Sequence, residues 1–174
     1  MVTLRGEQVY LRALEPEDLE FVYQVENDES IWELSHTQTP YSRYLIKEYL
    51  EHAHKDIFEV KQLRLVISTL KSETIGLIDI FDFDFKNRRA GVGILIQNHT
   101  NRSKGFGAEA LSLLVEYCFK QLQLNQVYCN IAEENIHSIN LFKKLGFQEV
   151  GVKQAWNLVN GVYKNELLFQ RINE

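Results

Sequence analysis

The residues Arg102-Ser103-Lys104-Gly105-Phe106-Gly107-Ala108 concentrate groups suited to holding phosphate. They follow the apolar run Ile94-Leu95-Ile96 and precede a long amphipathic segment reaching Leu122, so they read as a loop joining a strand to a helix. The first amides of a helix have no intrahelical partner, and glycines at 105 and 107 let a ligand approach them closely. Arg102 and Lys104 add positive charge beside them. The chemistry predicted here is recognition of a phosphorylated ligand or cofactor.

Carboxylates form a second group. In the alternating run Ile75 to Phe85, Ile78, Ile80, Asp82 and Asp84 are expected on one face and Leu77, Asp79, Phe81 and Phe83 on the other. At least one aspartate then has apolar neighbours, where burial would raise its pKa. Between Asn27 and Tyr41 the pattern lapses into a loop with Trp32, Glu33, His36 and Pro40, which reads equally as a ligand loop or as a surface connection anchored by Trp32. Cys118 and Cys129 lack CxxC spacing and histidines placed for zinc, so both are expected as buried thiols and no metal site is expected.

The elements that must position these groups follow from periodicity and punctuation. Strands are expected over 9–14, 64–70, 75–85, 90–97, 127–131, 147–156 and 162–172. Helices are expected after Pro16, from Ser42 to about His54, after Gly107, and from 136 to 145 with Asn135 as cap. Strand, helix and strand around the glycine loop predict one parallel pair, while Asn160-Gly161 predicts a closing hairpin.

At 174 residues, with no linker composition, the chain is expected to be a single domain over 1–174. A net charge of -5 without a basic cluster argues against nucleic acid, and no apolar run is long enough for a membrane span. The first residues carry no apolar signal core, so a cytoplasmic location is expected. Paired edge strands leave a homodimer or higher homo-oligomer open.

Gly105-Phe106-Gly107-Ala108-Glu109-Ala110, with Glu133 downstream, fits a dinucleotide fingerprint, but Gln97 to Lys104 intervene between strand and glycines and hairpins precede them. The better match is to the GNAT N-acetyltransferase superfamily. Arg102-x-x-Gly105-x-Gly107 resembles its pyrophosphate signature for acetyl-CoA, and Asn135-x-x-Ser138-x-x-Leu141-Phe142-Lys143-Lys144-Leu145-Gly146-Phe147 resembles its second signature. The opening Tyr10 to Leu19 and Gly76-Leu77-Ile78-Asp79-Ile80 through Arg88-Arg89-Ala90 are similar to the branch of ribosomal-protein N-terminal and spermidine acetyltransferases.

The resemblance implies an α/β (α+β) fold: a mixed, mostly antiparallel twisted sheet of about seven strands with about four helices, whose central parallel pair splays to hold CoA. It implies that Ile94, Leu95 and Ile96 bind the pantetheine arm, that amides of Ser103 to Ala108 take the pyrophosphate with Arg102 and Lys104 nearby, and that Asn135, Ser138 and Phe142 line the cofactor. Acetyl-CoA would be the cosubstrate, and the acceptor a polyamine or other small cationic amine, or a peptide N-terminus. An alkylammonium must lose a proton before attack. Asp82 is the expected general base, directly or through water, its other reading being a structural aspartate that closes the Phe85 to Arg88 turn, and Glu33, Asp79 and Asp84 are expected to face the acceptor. Many members carry a tyrosine where this chain has Phe142 and a glutamate where it has Gly91, and the loop acids that hold polyamines are replaced by Gln38-Thr39. Protonation of the thiolate then falls to water, Tyr163 or Ser138, or the thiolate leaves unassisted; a non-catalytic acyl-CoA-binding module is the other reading.

Overall fold

Each alternating segment becomes a strand in the computed structural model, which describes residues 4–97, 101 and 104–174. β1 spans Val9–Ala13, β2 Leu63–Thr69, β3 Thr74–Asp84, β4 Arg89–Ile96, β5 Gln126–Ala132, β6 Gln148–Val159 and β7 Val162–Ile172. They form one sheet in the order β1-β2-β3-β4-β5-β7-β6. Every neighbouring pair is antiparallel except β4 and β5. That exception organises the molecule. Arg89 pairs with Gln126, Ala90 with Val127 and Gly91 with Tyr128, and there the ladder stops. β4 runs on to Ile96 and β5 to Ala132, so the strands part. β5 keeps its other edge paired with β7 from Gln126↔Ile172 to Ala132↔Glu166, which supports it after it leaves β4.

The helices are α1 Leu19–Glu26, α2 Trp32–Ser35, α3 Arg43–Glu51, α4 Ile57–Val60, α5 Phe106–Lys120 and α6 Ile136–Lys144. The four expected ones are α1, α3, α5 and α6. α2 and α4 are single turns, each closed by a left-handed residue, His36 (φ 56) and Lys61 (φ 58), and too short to leave a helical period in the sequence. Both caps form as expected: Ser42 Oγ accepts the Leu45 N–H at 3.1 Å and Asn135 Oδ1 accepts the Ser138 N–H at 3.2 Å. α5 begins at Phe106, ahead of the expected start, because Gly105 takes φ 85 as its N-cap.

One face of the sheet carries Ile78, Ile80, Val92, Val127 and Phe169, on which α5 lays Ala110, Leu111, Leu114 and Cys118. Cys118 and Cys129 are both buried and free, and burial pushes the Cys118 thiol up to about 12. On the opposite face Val66 and Leu77 pack beneath Val25 and Ile31, and Val22 of α1 meets Ile46 and Leu50 of α3.

The strict alternation expected along β3 breaks at Asp82. Pairing with β4 jumps from Phe81↔Gly91 to Asp84↔Arg89, and Asp82 adopts φ 48. The bulge inserts a residue and reverses every later side chain. Phe83 therefore joins Ile78 and Ile80 in the core, rather than sharing the face of Leu77 as the period of two required. Its ring meets Phe58 edge-on at 5.3 Å.

At the start of α1, Arg12 clamps Asp18 with Nη1 and Nη2 at 2.8 Å each, and Asp18 also accepts the Glu15 N–H at 2.8 Å. Burial alone would raise this carboxyl, but the hydrogen bonds and the arginine charge outweigh it and hold it below its ordinary value. A depressed folded-state pKa contributes stability that is present above the ordinary carboxylate value and lost as pH falls through the folded one. Asp18→Asn should lower stability by about 2 kcal/mol at neutral pH, with the gap to the parent closing toward pH ~3. Urea unfolding at several pH values measures this; equal stabilities at neutral pH would refute the assignment.

Candidate active site

Where β4 and β5 part, a cleft of about 1410 Å³ opens. Gly93, Ile94 and Leu95 of β4 form one wall, Asn130 and Ala132 of β5 the other, and Asn135, Ser138 and Phe142 approach from α6. Thus Ile94, Leu95, Asn135, Ser138 and Phe142, all expected from sequence to meet the cofactor, converge from two elements. Ile96 instead packs against the core. Because β5 stops pairing at Gly91, the edge of β4 from Val92 to Leu95 meets the gap and not a strand.

At the end of this wall α5 presents its first turn. Amides there have no intrahelical acceptor, so Phe106, Gly107 and Ala108 offer donors to an anion, with Lys104 exposed beside them. Gly105 is needed for its positive φ, whereas a Cβ on Gly107 would make only ordinary contacts, 3.7 Å to Ile94 Cδ1 and Leu141 Cδ2. Arg102 and Ser103 lie outside the described residues. Glu109 anchors this helix start: its carboxylate accepts the N–H groups of Glu7, Gln8 and Val9 at 2.9, 2.8 and 2.7 Å. Lys143 and Lys144 sit in the last turn of α6 and do not line the cleft.

The other half of the cleft is acidic. Glu26, Glu29, Glu33, Asp79 and Glu166 line it, against the cations Arg64 and Lys164. Arg64 binds Asp79 through Nε at 2.7 Å and Nη2 at 3.1 Å, and Glu26 through Nη1 at 2.7 Å. Although burial opposes its charge, Asp79, Tyr49 and Glu26 raise the guanidinium above its ordinary value. Lys164 Nζ bridges Glu33 at 3.3 Å and Glu134 at 2.7 Å, tying the 28–41 segment to the turn after β5. Glu166 accepts Lys153 Nζ at 2.7 Å and Asn157 Nδ2 at 3.0 Å, while Lys153 also donates to Asn130 at 2.9 Å.

Of the carboxylates expected to serve the acceptor, Glu33 and Asp79 line the cleft and Asp82 and Asp84 do not. The bulge leaves Asp82 exposed near Tyr128, where burial and the Asp82 charge together raise the phenol. Asp84 closes the turn after β3: it accepts the Asn87 N–H at 2.9 Å and Nδ2–H at 2.7 Å, and lies 3.4 Å from Arg89. These bonds, chiefly those from Asn87, lower its carboxyl. Tyr163 is exposed and does not line the cleft, whereas Ser138 does. Phe142 is buried, its ring 5.0 Å from that of Phe147 and nearly perpendicular to it.

Gly91 has a steric reason. A Cβ there would lie 2.2 Å from Cε2 of Phe81, whose ring covers the position and meets Tyr128 edge-on at 6.0 Å. A glutamate at 91 cannot coexist with this ring position. Sequence reasoning missed Arg64, Lys153, Lys164 and Glu166. For Glu166 one signal was present: an acid at an inward position of β7, directly before the apolar pair Leu167-Leu168.

A family model described as acetyltransferase (GNAT) domain matches residues 8–148. Spermidine N(1)-acetyltransferase of Vibrio cholerae is 28% identical over 158 residues, covering 91% of this chain and 89% of that protein. The spermidine N(1)-acetyltransferase of Escherichia coli K12 is 30% identical over 159 residues, covering 91% and 83%. Among solved structures, that of spermidine N-acetyltransferase from Vibrio cholerae in complex with CoA and spermine superposes with a TM-score of 0.86 at 26% identity, over 96% of both chains.

Proposed function

Because this chain belongs to the acetyltransferase (GNAT) family, we propose that it is an enzyme moving an acetyl group from acetyl-CoA directly to a primary amine, with polyamines of the spermidine and spermine class as leading acceptors. The observation that carries the acceptor class is the cleft wall: five carboxylates against two cations, opening onto the gap where β4 and β5 part. Such a wall attracts a polycation and repels anionic acceptors. The likeness to spermidine acetyltransferases supports the same reading.

In this reading the chain acts as a single acetyltransferase domain and each group has a task. Amides of Phe106 to Ala108, with Lys104, Arg102 and Ser103, hold the pyrophosphate of CoA at the α5 N-terminus. The β4 edge, at Ile94 and Leu95, holds the pantetheine arm, and a backbone amide there polarises the thioester carbonyl as charge develops on oxygen. Asn135 and Ser138 border the arm, and Phe142 forms an apolar wall to it. CoA supplies the activated acetyl group. Glu33 and Asp79 belong to the acidic wall that receives the acceptor, while Asp82 and Asp84 are not among the residues that line it.

The described residues include no helix long and apolar enough to cross a membrane, and a cytoplasmic location is part of this proposal. Self-association is too: β6 is an edge strand, and Trp156, Leu158, Val162 and Tyr163 of the β6–β7 hairpin are exposed.

Free-thiol release from acetyl-CoA tests the acceptor. Spermidine and spermine should be acetylated, with KM rising several-fold between about 0.05 and about 0.5 M salt as the acidic wall is screened. Acetylation of N-terminal peptides with polyamines inert would overturn the acceptor class.

A further inference from the structure

We propose that His36 is a catalytic residue, the base that takes the proton from the acceptor ammonium, and that Glu166 is the positioning residue behind it. The inference rests on amine acetylation as the reaction, and not on which amine is used.

The carboxylates of the cleft are largely committed. Asp79 gives both oxygens to Arg64, Glu26 pairs with the same guanidinium, Glu33 with Lys164, and Glu166 with Lys153 and Asn157. Oxygens that already accept from such partners have fewer lone pairs free for an incoming ammonium. An imidazole can be neutral and accept a proton near pH 7. Among the described residues, His36 is the histidine that lines the cleft. It closes α2 in the left-handed region, and its Nε2 lies 3.9 Å from Glu166 Oε2.

The exposures assign the roles. The His36 side chain is 63% exposed and Glu166 is 8%, so an accessible imidazole stands in front of a buried carboxylate. Burial alone would raise that carboxyl, but hydrogen bonds from Lys153 and Asn157 and the charges of Lys153 and His36 hold it below its ordinary value. A fixed negative charge thus waits where an imidazolium would form, the logic of a histidine oriented by an acid. The other charged groups lining the cleft are Glu26, Glu29 and Glu33 ahead of His36 in the chain, Arg64 on β2, Asp79 on β3 and Lys164 on β7, with Lys153 on β6 behind Glu166.

The step balances without a tyrosine at 142. The ammonium passes one proton to the imidazole, and its freed lone pair forms the C–N bond at the thioester carbon. The C–S bond breaks with its electron pair on sulfur, and the second proton shed by the nitrogen neutralises the thiolate. Amide and free thiol result, and the imidazolium returns one proton to water.

The test compares the parent, His36→Gln and Glu166→Gln from about pH 6 to about pH 9.5, using whichever amine the parent acetylates. His36→Gln should lose roughly 100-fold in kcat, keep CoA affinity and thermal midpoint, and lose the acid limb of kcat/KM that belongs to the enzyme. Glu166→Gln should lower kcat by roughly tenfold with CoA affinity kept, and Glu166→Asp, which retains the carboxylate, should recover part of that rate. A His36→Gln variant that retains the limb, or that changes only the KM of the acceptor, overturns the proposal. If spermidine and spermine are inert but another amine reacts, the acceptor reading fails while the His36 comparison still reads out.

Discussion

Gly76→Ala is expected to lower the thermal midpoint by about 10 °C, equivalent to about 3 kcal/mol, and to weaken CoA binding by roughly tenfold or more. A Cβ at Gly76 would sit 2.2 Å from the carbonyl oxygen of Leu95 and 3.2 Å from its carbonyl carbon. The obstacle is backbone, so no rotamer change can relieve it, and β3 or β4 must move. Gly76 pairs with Ile96, and Leu77 with Leu95, so the displacement falls on the part of β4 that borders the cleft. Stability and cofactor binding should therefore fail together. Gly151→Ala is the control: a Cβ there meets nothing within 4 Å, and its effect should stay within about 0.5 kcal/mol. Calorimetry and CoA titration of both variants suffice; a Gly76→Ala protein with parental midpoint would show that β3 and β4 do not approach so closely.

Arg64→Ala should cost about 3 kcal/mol at neutral pH. The guanidinium holds Asp79 and Glu26 at once, with its own side chain 27% exposed and the carboxylates 30% and 18% exposed. Removing the cation leaves two half-buried carboxylates with no shared partner on the acidic wall. Breaking such a pair from one side costs far more than replacing all its members, because an uncompensated charge remains. Adding Asp79→Asn to Arg64→Ala should therefore recover about half of the loss, leaving the double variant about 1.5 kcal/mol below the parent by urea unfolding. Purely additive effects would mean that the three groups do not act as a unit.

These predictions concern residues that differ in how visible they were beforehand. Asn160-Gly161 announced the closing hairpin, and both residues do take positive φ, 50 and 78, as a tight turn between twisted strands requires. Ser42 and Asn135 were legible as caps because capping is local: a side-chain oxygen reaches an amide three residues on. The start of α5 at the glycines was legible for the same reason, since a helix start depends on its own first turn.

What failed was anything that depended on parity or on distant partners. The period of two along β3 placed Phe83 opposite the core, and one left-handed aspartate reversed it. At that same bulge Asp82 is exposed and is not among the residues that line the cleft, although it lies on the strand beside the expected pantetheine strand. Gly91 reads in the sequence only as a missing glutamate, and the reason for it is the Phe81 ring ten residues earlier on the paired strand.

The amino-acid sequence by itself determined the order of the strands and of the four longer helices, the single parallel pair, the glycine-led start of α5 and the family, because each is written in local periodicity, in turn residues or in short motifs. Only the tertiary structure decided which carboxylates line the cleft and which cations hold them. Arg64 reaches Asp79 across fifteen residues and Glu26 across thirty-eight, and Lys164 reaches Glu33 across 131. Such pairings follow from strand register and from how the 28–41 segment folds onto β7. Both depend on side-chain burial summed over the whole sheet, and no window of sequence contains that sum.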